Sequence, residues 1–348
     1  GVCLVPGTDY TTSTKTSIVL TQAASLNDTL EVIAYDIASM SDMSASNGGT
    51  FQADVTFAAG ADLITATAGT DNVRLGEDAG ASIASGGNNN VTIGKSSGTA
   101  ITTGDNNTAI GHVALTANTS ASANTAVGSN ALTANTTGAD GVAMGVSALG
   151  SNTSGNSNTA IGRSALVSNT TASNNTAIGY NALTANTTGA GNTALGHRAG
   201  EANTTAANNV FIGKEAGLAN TTGTSNVAVG RDALVSNTTA SSSTAVGYQA
   251  GYSNTTGKID AFGQGALYTN STGVSNAAFG ATALNANTTG NYNTAMGGGS
   301  SGIYGALQSN TTGNNNTAVG SQALALNTTA TGCTALGANA GFDNTTGA

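Results

Sequence analysis

Asn175-Thr176-Ala177-Ile178-Gly179-Tyr180-Asn181-Ala182-Leu183-Thr184-Ala185-Asn186-Thr187-Thr188-Gly189 is one copy of a unit that recurs from about residue 72 to the last residues of the chain. Each copy carries a small-small-apolar triplet followed by Gly. Those glycines are Gly76, Gly94, Gly111, Gly128, Gly145, Gly162, Gly179, Gly196, Gly213, Gly230, Gly247, Gly263, Gly280, Gly297, Gly320 and Gly337. Twelve of the fifteen steps between them are 17 residues long; the others are 18 at the start, 16 at Gly247 to Gly263 and 23 at Gly297 to Gly320. A fixed period held this long is the signature of a repeat architecture, in which each unit buries its faces against its neighbours in the stack.

Composition points the same way. A length of 348 residues would ordinarily suggest two or three domains. Here 49 residues are Gly, one is Pro, none is Trp, and charged residues make up 7%, against about 25% in a typical globular domain. Such small side chains cannot fill a thick core. They suit a thin structure held by backbone ladders and by the stacking of identical positions. Disorder is the alternative for a Gly/Ser/Asn-rich chain, and the strict register of the columns argues against it.

Counting from the marker Gly, the preceding residue is apolar in all sixteen copies, as in Ile161, Ile178, Leu195 and Phe279. Two before it stands Ala in thirteen, with Arg74, Thr92 and Phe211 as departures. Neighbours in a strand point to opposite faces, so these columns face opposite ways. Hydrophobicity predicts that the larger apolar column is the buried one. The Ala column then permits close approach of a second sheet or, as favoured here, of a neighbouring subunit. After the Gly, Ala182-Leu183 and its equivalents predict a second short strand, whose Leu meets the Ile/Val column across a thin interior. Where Gly replaces that Leu (Gly200, Gly217, Gly251), the next residues Leu218 and Tyr252 are expected to restore volume, as is Phe342 after Gly341. Two Asn columns, four before and seven after the Gly, mark the corners. Asn tolerates left-handed backbone and caps its own turn, and stacked amides bond along a fibre axis.

The expected fold is therefore all-β: a parallel β-solenoid or β-roll shaft with a 17-residue repeat, preceded by a small β domain. Residues 1–36 read as that β module, with strands Val2–Val5, Ser17–Leu20 and Thr29–Tyr35. Residues 37–71 read as a linker with a shaft-opening strand at Thr50–Phe57. Residues 72–348 form about sixteen coils with an insertion at 298–304. At about 4.8 Å per coil the array is a rod on the order of 75 Å long. A single thin rod buries little apolar area per ordered residue, so a homotrimer is expected, which also protects sheet edges. The chain opens inside a strand-like run and closes in mid-repeat, and reads as a piece of a longer polypeptide.

Val2-Cys3-Leu4-Val5-Pro6-Gly7-Thr8-Asp9-Tyr10 and the following Ser17–Asp36 run resemble a small module of bacteriophage tail fibres. Gly48–Phe57 resembles the strand that opens a trimeric fibre shaft in such proteins. The repeat is similar to the heads of trimeric autotransporter adhesins, whose Asn-Ser-Val-Ala-Ile-Gly-like unit has a shorter period near 14 residues. The resemblance implies a trimeric, structural and adhesive function on a virion or at a cell surface.

Residues with chemical potential are few. The net charge of −9 is uneven, with ten of the 17 acidic residues before residue 80. The array itself is nearly neutral and lacks the basic face that nucleic acid requires. No apolar run is long enough for a membrane-spanning helix. His112 and His197 are the only histidines and lie five coils apart, so no catalytic triad or metal set is expected. Acids are isolated, so no glycosidase pair and no cofactor are expected. Cys333 stands in an Asn column and reads as a free thiol; Glu77-Asp78 reads as a solvated cap on the first coil. The Asn-Thr-Thr triplets match glycosylation sequons in form and read as turns. The 298–304 insertion, with Ile303 and Tyr304, reads as a contact point or a surface bulge.

One column varies coherently. The residue after the marker Gly is basic or aromatic over six successive coils: Arg163, Tyr180, His197, Lys214, Arg231 and Tyr248. Stacked, it makes a stripe about 24 Å long that suits an anionic or sugar-containing polymer, such as a host surface polysaccharide or another outer-surface receptor. The functional expectation is a non-enzymatic shaft of a phage tail fibre or related appendage. The alternatives are a bacterial trimeric adhesin and, less favoured, an ice-binding solenoid. The last needs Thr-x-Thr on a flat face, whereas the Thr pair of Asn-Thr-Thr is adjacent and lies in a turn.

Overall fold

The computed structural model describes residues 10–14, 17–20 and 69–347. The chain divides into two units between Leu63 and Ile64. In the first, β1 (Tyr10–Thr14) pairs antiparallel with β2 (Ser17–Leu20), Tyr10 opposite Leu20 and Thr14 opposite Ser17. The strand expected at Ser17–Leu20 is present, and Tyr10–Thr14 adds one that the sequence reading did not place. The expected strands at Val2–Val5, Thr29–Tyr35 and Thr50–Phe57, and the linker, lie outside the described residues.

The second unit is the array. From β3 (Val73–Leu75) to β18 (Thr334–Leu336), sixteen short strands form one parallel sheet in strict chain order, one strand per coil. This is the parallel β-solenoid with a 17-residue repeat that the periodicity predicts. Register is conserved rung to rung: in β9 (Thr176–Ile178) and β10 (Thr193–Leu195), Thr176 faces Thr193, Ala177 faces Ala194 and Ile178 faces Leu195. The irregular steps do not break it. The 16-residue step sets Thr244 opposite Asp260. The six extra residues leave Thr294 opposite Thr317 and emerge as a loop, closed by paired 2.9 Å bonds between Ser300 and Ile303.

Which face of the strand is interior reverses the sequence expectation. The Ala column is the buried one: Ala109, Ala126, Ala160, Ala177 and Ala194 are each 0% exposed. The apolar column faces outward, with no member buried. Ile161 is 36% exposed, Leu195 45% and Met296 47%. The inward Ala faces the Leu column, and Leu115, Leu132, Leu149, Leu166 and Leu183 join it in one buried cluster. The coil is so thin that Leu from one wall and Ala from the other fill it. An inward Ile would exceed the available volume, and overpacking a dense interior costs about 1–3 kcal/mol per site.

The second strand expected after the Gly is a turn. Leu183 has φ 51° and Asn181 φ 54°, left-handed values that are unusual for a bulky residue. That geometry aims Leu183 inward and costs on the order of 1–2 kcal/mol, offset by its complete burial. It also explains why Gly alternates with Leu there: Gly200 and Gly217 have φ 59° and 61°, where Gly is free of strain. Their missing volume is supplied by Phe211, the fully buried departure from the Ala column. A Cβ built on Gly200 would lie 2.6 Å from its ring. Leu218, Tyr252 and Phe342, expected to compensate, instead lie partly exposed at the surface.

The marker glycines stack closely. Gly162 has φ 128°, and a Cβ there would lie 2.6 Å from the carbonyl oxygen of Gly179. No other residue fits, because both the conformation and the space exclude a side chain.

Candidate functional surfaces

Side-chain ladders run along the corners of the array. Seven after the marker Gly, the Asn Nδ2 donates to the Asn Oδ1 of the preceding coil and to the carbonyl three residues on. Asn186 reaches Asn169 Oδ1 at 3.1 Å and Gly189 O at 2.9 Å, and its own Oδ1 accepts from Asn203 Nδ2 at 2.9 Å. Four before the Gly, the Asn Oδ1 accepts the backbone N–H of the next coil, as Asn158 does from Asn175 at 3.0 Å. Both columns are almost wholly buried. The first Thr of each triplet extends the network, with Thr187 Oγ1 donating to Thr204 O at 3.1 Å. These amides are structural, and the enclosed, doubly donating Nδ2 of Asn186 is no glycosylation acceptor in the folded array. Among the described residues only Asn175 Nδ2 and Asn327 Oδ1 are buried side-chain polar atoms without a partner, so the ladders satisfy nearly all of the interior amides.

The stripe Arg163, Tyr180, His197, Lys214, Arg231 and Tyr248 is exposed along its whole length. Each step is pinned by the backbone: Asn181 N–H donates to Arg163 O at 3.1 Å, Arg198 N–H to Tyr180 O at 2.9 Å, and Asp232 N–H to Lys214 O at 3.0 Å. The six residues are therefore brought together in one file. Within it, Tyr180 and His197 stack with ring centroids 5.4 Å apart and planes 15° from parallel. The Arg231 guanidinium sits 5.6 Å from the centre of the Tyr248 ring, a cation–π distance. One face of each of these rings is covered by its neighbour.

A second file, two and five residues after the Gly, was not singled out by the sequence reading. It carries charge beside the stripe. Lys214 Nζ lies 3.7 Å from Glu215, and Arg231 Nε 3.2 Å from Asp232. Arg198 pairs with Glu201 and, at 3.6 Å, with Glu215. The acids partly neutralise the cations, and Arg163 is left without an ion pair among the described residues. The signal was present in sequence as Arg198, Glu215 and Asp232 at one repeat position. At the start of the array Glu77 is salt-bridged to Lys95 at 2.8 Å, with both side chains mostly exposed; such a pair contributes little.

The outward face of the sheet is the second candidate. Each strand presents its first residue and its third: Thr176 and Ile178, Thr193 and Leu195. A Thr/Val column, interrupted at Asp260 and Ala277, and an apolar column that includes Phe262 and Phe279 thus run side by side up the array. The 298–304 loop carries exposed Ile303 and Tyr304, the latter tilted against Phe342 at 6.0 Å. Among the described residues, no group of three His, Cys, Asp or Glu side chains is placed to hold a metal, and no helix is long and apolar enough to cross a membrane. No protein-family model matches this sequence, and no characterised protein matches it.

Proposed function

We infer that the chain is the shaft of an extracellular fibre, read as that of a bacteriophage tail fibre or a related appendage, and that it contributes to attachment at a host surface. One observation carries this reading. Sixteen coils stack in unbroken register, each reinforced by backbone and side-chain ladders. This produces an axially repetitive element whose regularity serves length and stiffness. The small charged fraction suits a structural and adhesive role better than a catalytic one, and the acids beside the stripe are engaged by neighbouring cations. Incubating the purified chain with host polysaccharide and finding shortened chains would refute the non-enzymatic assignment.

Attachment along the side is assigned to the file from Arg163 to Tyr248. A polymer lying parallel to the axis meets one cationic or aromatic group about every 4.8 Å. The partly neutralised cations favour a polar, weakly anionic glycan over a densely charged polyanion such as nucleic acid, whose binding requires many uncompensated cations. The test is the triple variant Arg163→Ser, Lys214→Ser, Arg231→Ser. Retained fold with reduced cell-surface binding is the expected result; unchanged binding removes this site and leaves the shaft reading intact.

A further inference from the structure

The stripe holds an Arg followed one coil later by a Tyr twice, at Arg163 with Tyr180 and at Arg231 with Tyr248. The two steps differ. At the second the guanidinium is engaged: Arg231 Nε lies 3.2 Å from the carboxylate of buried Asp232, and the cation stands 5.6 Å from the centre of the Tyr248 ring. At the first, Arg163 makes neither contact among the described residues. The cause is readable in the sequence. From Gly141 to His197, a span of 57 residues, Arg163 is the only Lys, Arg, Asp or Glu. Higher up the array, Arg198, Lys214 and Arg231 are matched by Glu201, Glu215 and Asp232, three cations against three acids, and all six are ion-paired. The first acid up the array from Arg163 is Glu201, two coils on and about 10 Å along the axis. It is already held by Arg198 and, at 3.3 Å, by Asn181 Nδ2. The stripe thus carries one permanent charge that nothing near it in the array compensates, and that charge sits at its lower end.

The surroundings of Arg163 suit a sugar. In its own file Val146 stands one coil below and Tyr180 one coil above, 48% and 45% exposed. The backbone holds them in line, with Ser164 N–H donating to Val146 O at 2.9 Å and Asn181 N–H to Arg163 O at 3.1 Å. Ser147 and Ser164 add hydroxyls in the next file. Apolar neighbours lower the local dielectric, so an ion pair formed between them is stronger than one in open water.

We propose that Arg163 is the one point at which the stripe reads charge, and that it takes the carboxylate of an acidic sugar residue while the balanced remainder of the file takes neutral sugars. This deepens the lateral-attachment reading and rests on it. A planar guanidinium matches a carboxylate bidentately. One free cation matches one acid. A run of adjacent acids, or a phosphate dianion, would need further free cations, and those of the coils above are committed to Glu201, Glu215 and Asp232. The ligand class is therefore a glycan in which carboxylates are sparse.

The test compares the binding of the whole chain to an immobilised oligosaccharide of alternating glucuronic acid and neutral sugar with its binding to the same oligosaccharide after methyl esterification of the carboxyls. The wild type should bind the free acid about tenfold or more tightly than the ester, as expected for hydrogen bonds to a charged partner, and added salt should narrow the gap. Arg163→Gln should bind both at the ester level, with an unchanged melting temperature. Arg163→Lys should restore part of the gap, because it keeps the charge and loses the fork. Lys214→Gln should weaken both ligands by the same factor. A gap that survives Arg163→Gln, or one closed by Lys214→Gln, overturns the proposal. So does a lowered melting temperature of Arg163→Gln, which would show that an acid elsewhere in the chain, such as one of the ten before residue 80, already engages this cation. Equal affinity of the wild type for a sulfated, carboxyl-esterified oligosaccharide overturns the carboxylate assignment. Equal wild-type binding of acid and ester overturns charge reading and leaves lateral attachment standing, whereas binding of neither refutes both.

Discussion

Replacing Asn186 by Ala tests whether the amide ladder carries the array. The Asn186 side chain is 0% exposed and engages three partners: Asn169 Oδ1, Gly189 O and Asn203 Nδ2. Truncation leaves all three buried with one hydrogen bond fewer. Each orphaned buried group costs about 1–3 kcal/mol, and admission of a water molecule to the vacated space recovers part of this. The expected loss is about 3–6 kcal/mol. In a stack whose stability is a sum over neighbouring coils, the lesion is local, and the coils around residue 186 should open before the ends of the array. Guanidinium unfolding followed by circular dichroism gives the total, and amide hydrogen exchange maps the opening. Thr188→Ala, at an exposed position two residues away, is the control, expected within about 0.5 kcal/mol of wild type. A cost below about 1 kcal/mol for Asn186→Ala, with unchanged exchange at the flanking coils, would refute the ladder argument. Asn186→Asp adds a pH signature. Its carboxyl would face the acceptors Asn169 Oδ1 and Gly189 O, so the folded state favours the protonated form and its pKa rises above the unfolded value of about 3.9. The native state then binds more protons than the unfolded one. Stability should fall as pH rises above about 4, by up to about 1.4 kcal/mol per pH unit until the folded pKa is passed.

Three further outcomes follow from the packing. Ala177→Leu should destabilise by about 1–3 kcal/mol or more through overpacking, while Ile178→Ser should leave the thermal stability of an isolated chain almost unchanged; the opposite order in a melting experiment would restore the original in-out assignment. Phe211→Ala should cost about 3–5 kcal/mol, and adding Gly200→Leu with Gly217→Leu should recover much of it, because the triple variant recreates the Ala and Leu columns of neighbouring coils. Non-additivity in a double-mutant cycle is the readout, and simple addition would show that Phe211 does not fill the space of the two missing leucines. Cys333→Asn should raise the melting temperature. At present Asn344 Nδ2 lies 3.3 Å from Cys333 Sγ, and Asn327 Oδ1, one coil below Asn344, lacks a partner. An Asn at 333 supplies the amide used elsewhere in its column and frees Asn344 to continue the other ladder.

How much was legible from sequence differs by column. The period, the coil count and the parallel class follow from the glycine marks alone. The Asn corners also do, because Asn at fixed positions in a repeat has few roles besides turn and ladder. The stripe from Arg163 to Tyr248 was legible because side chains one period apart stack in any solenoid. Its charge balance was not, since the pairing of Arg231 with Asp232 and of Lys214 with Glu215 depends on how adjacent files turn toward one another. The outward facing of the Thr/Val column is not legible in sequence, because alternation sets Thr176 on the same face as Ile178 and only the fixed in-out orientation of the strand turns that face outward.

The amino-acid sequence by itself determined that this chain stacks, with what period, and where each coil must bend. What only the tertiary structure decided is which side of the strand is inside. Alternation tells two faces apart without saying which is interior, and hydrophobicity favoured Ile178. The deciding quantity is volume. Leu183, held at positive φ on the opposite wall, already fills the thin interior, leaving space for Ala177 and turning Ile178 outward.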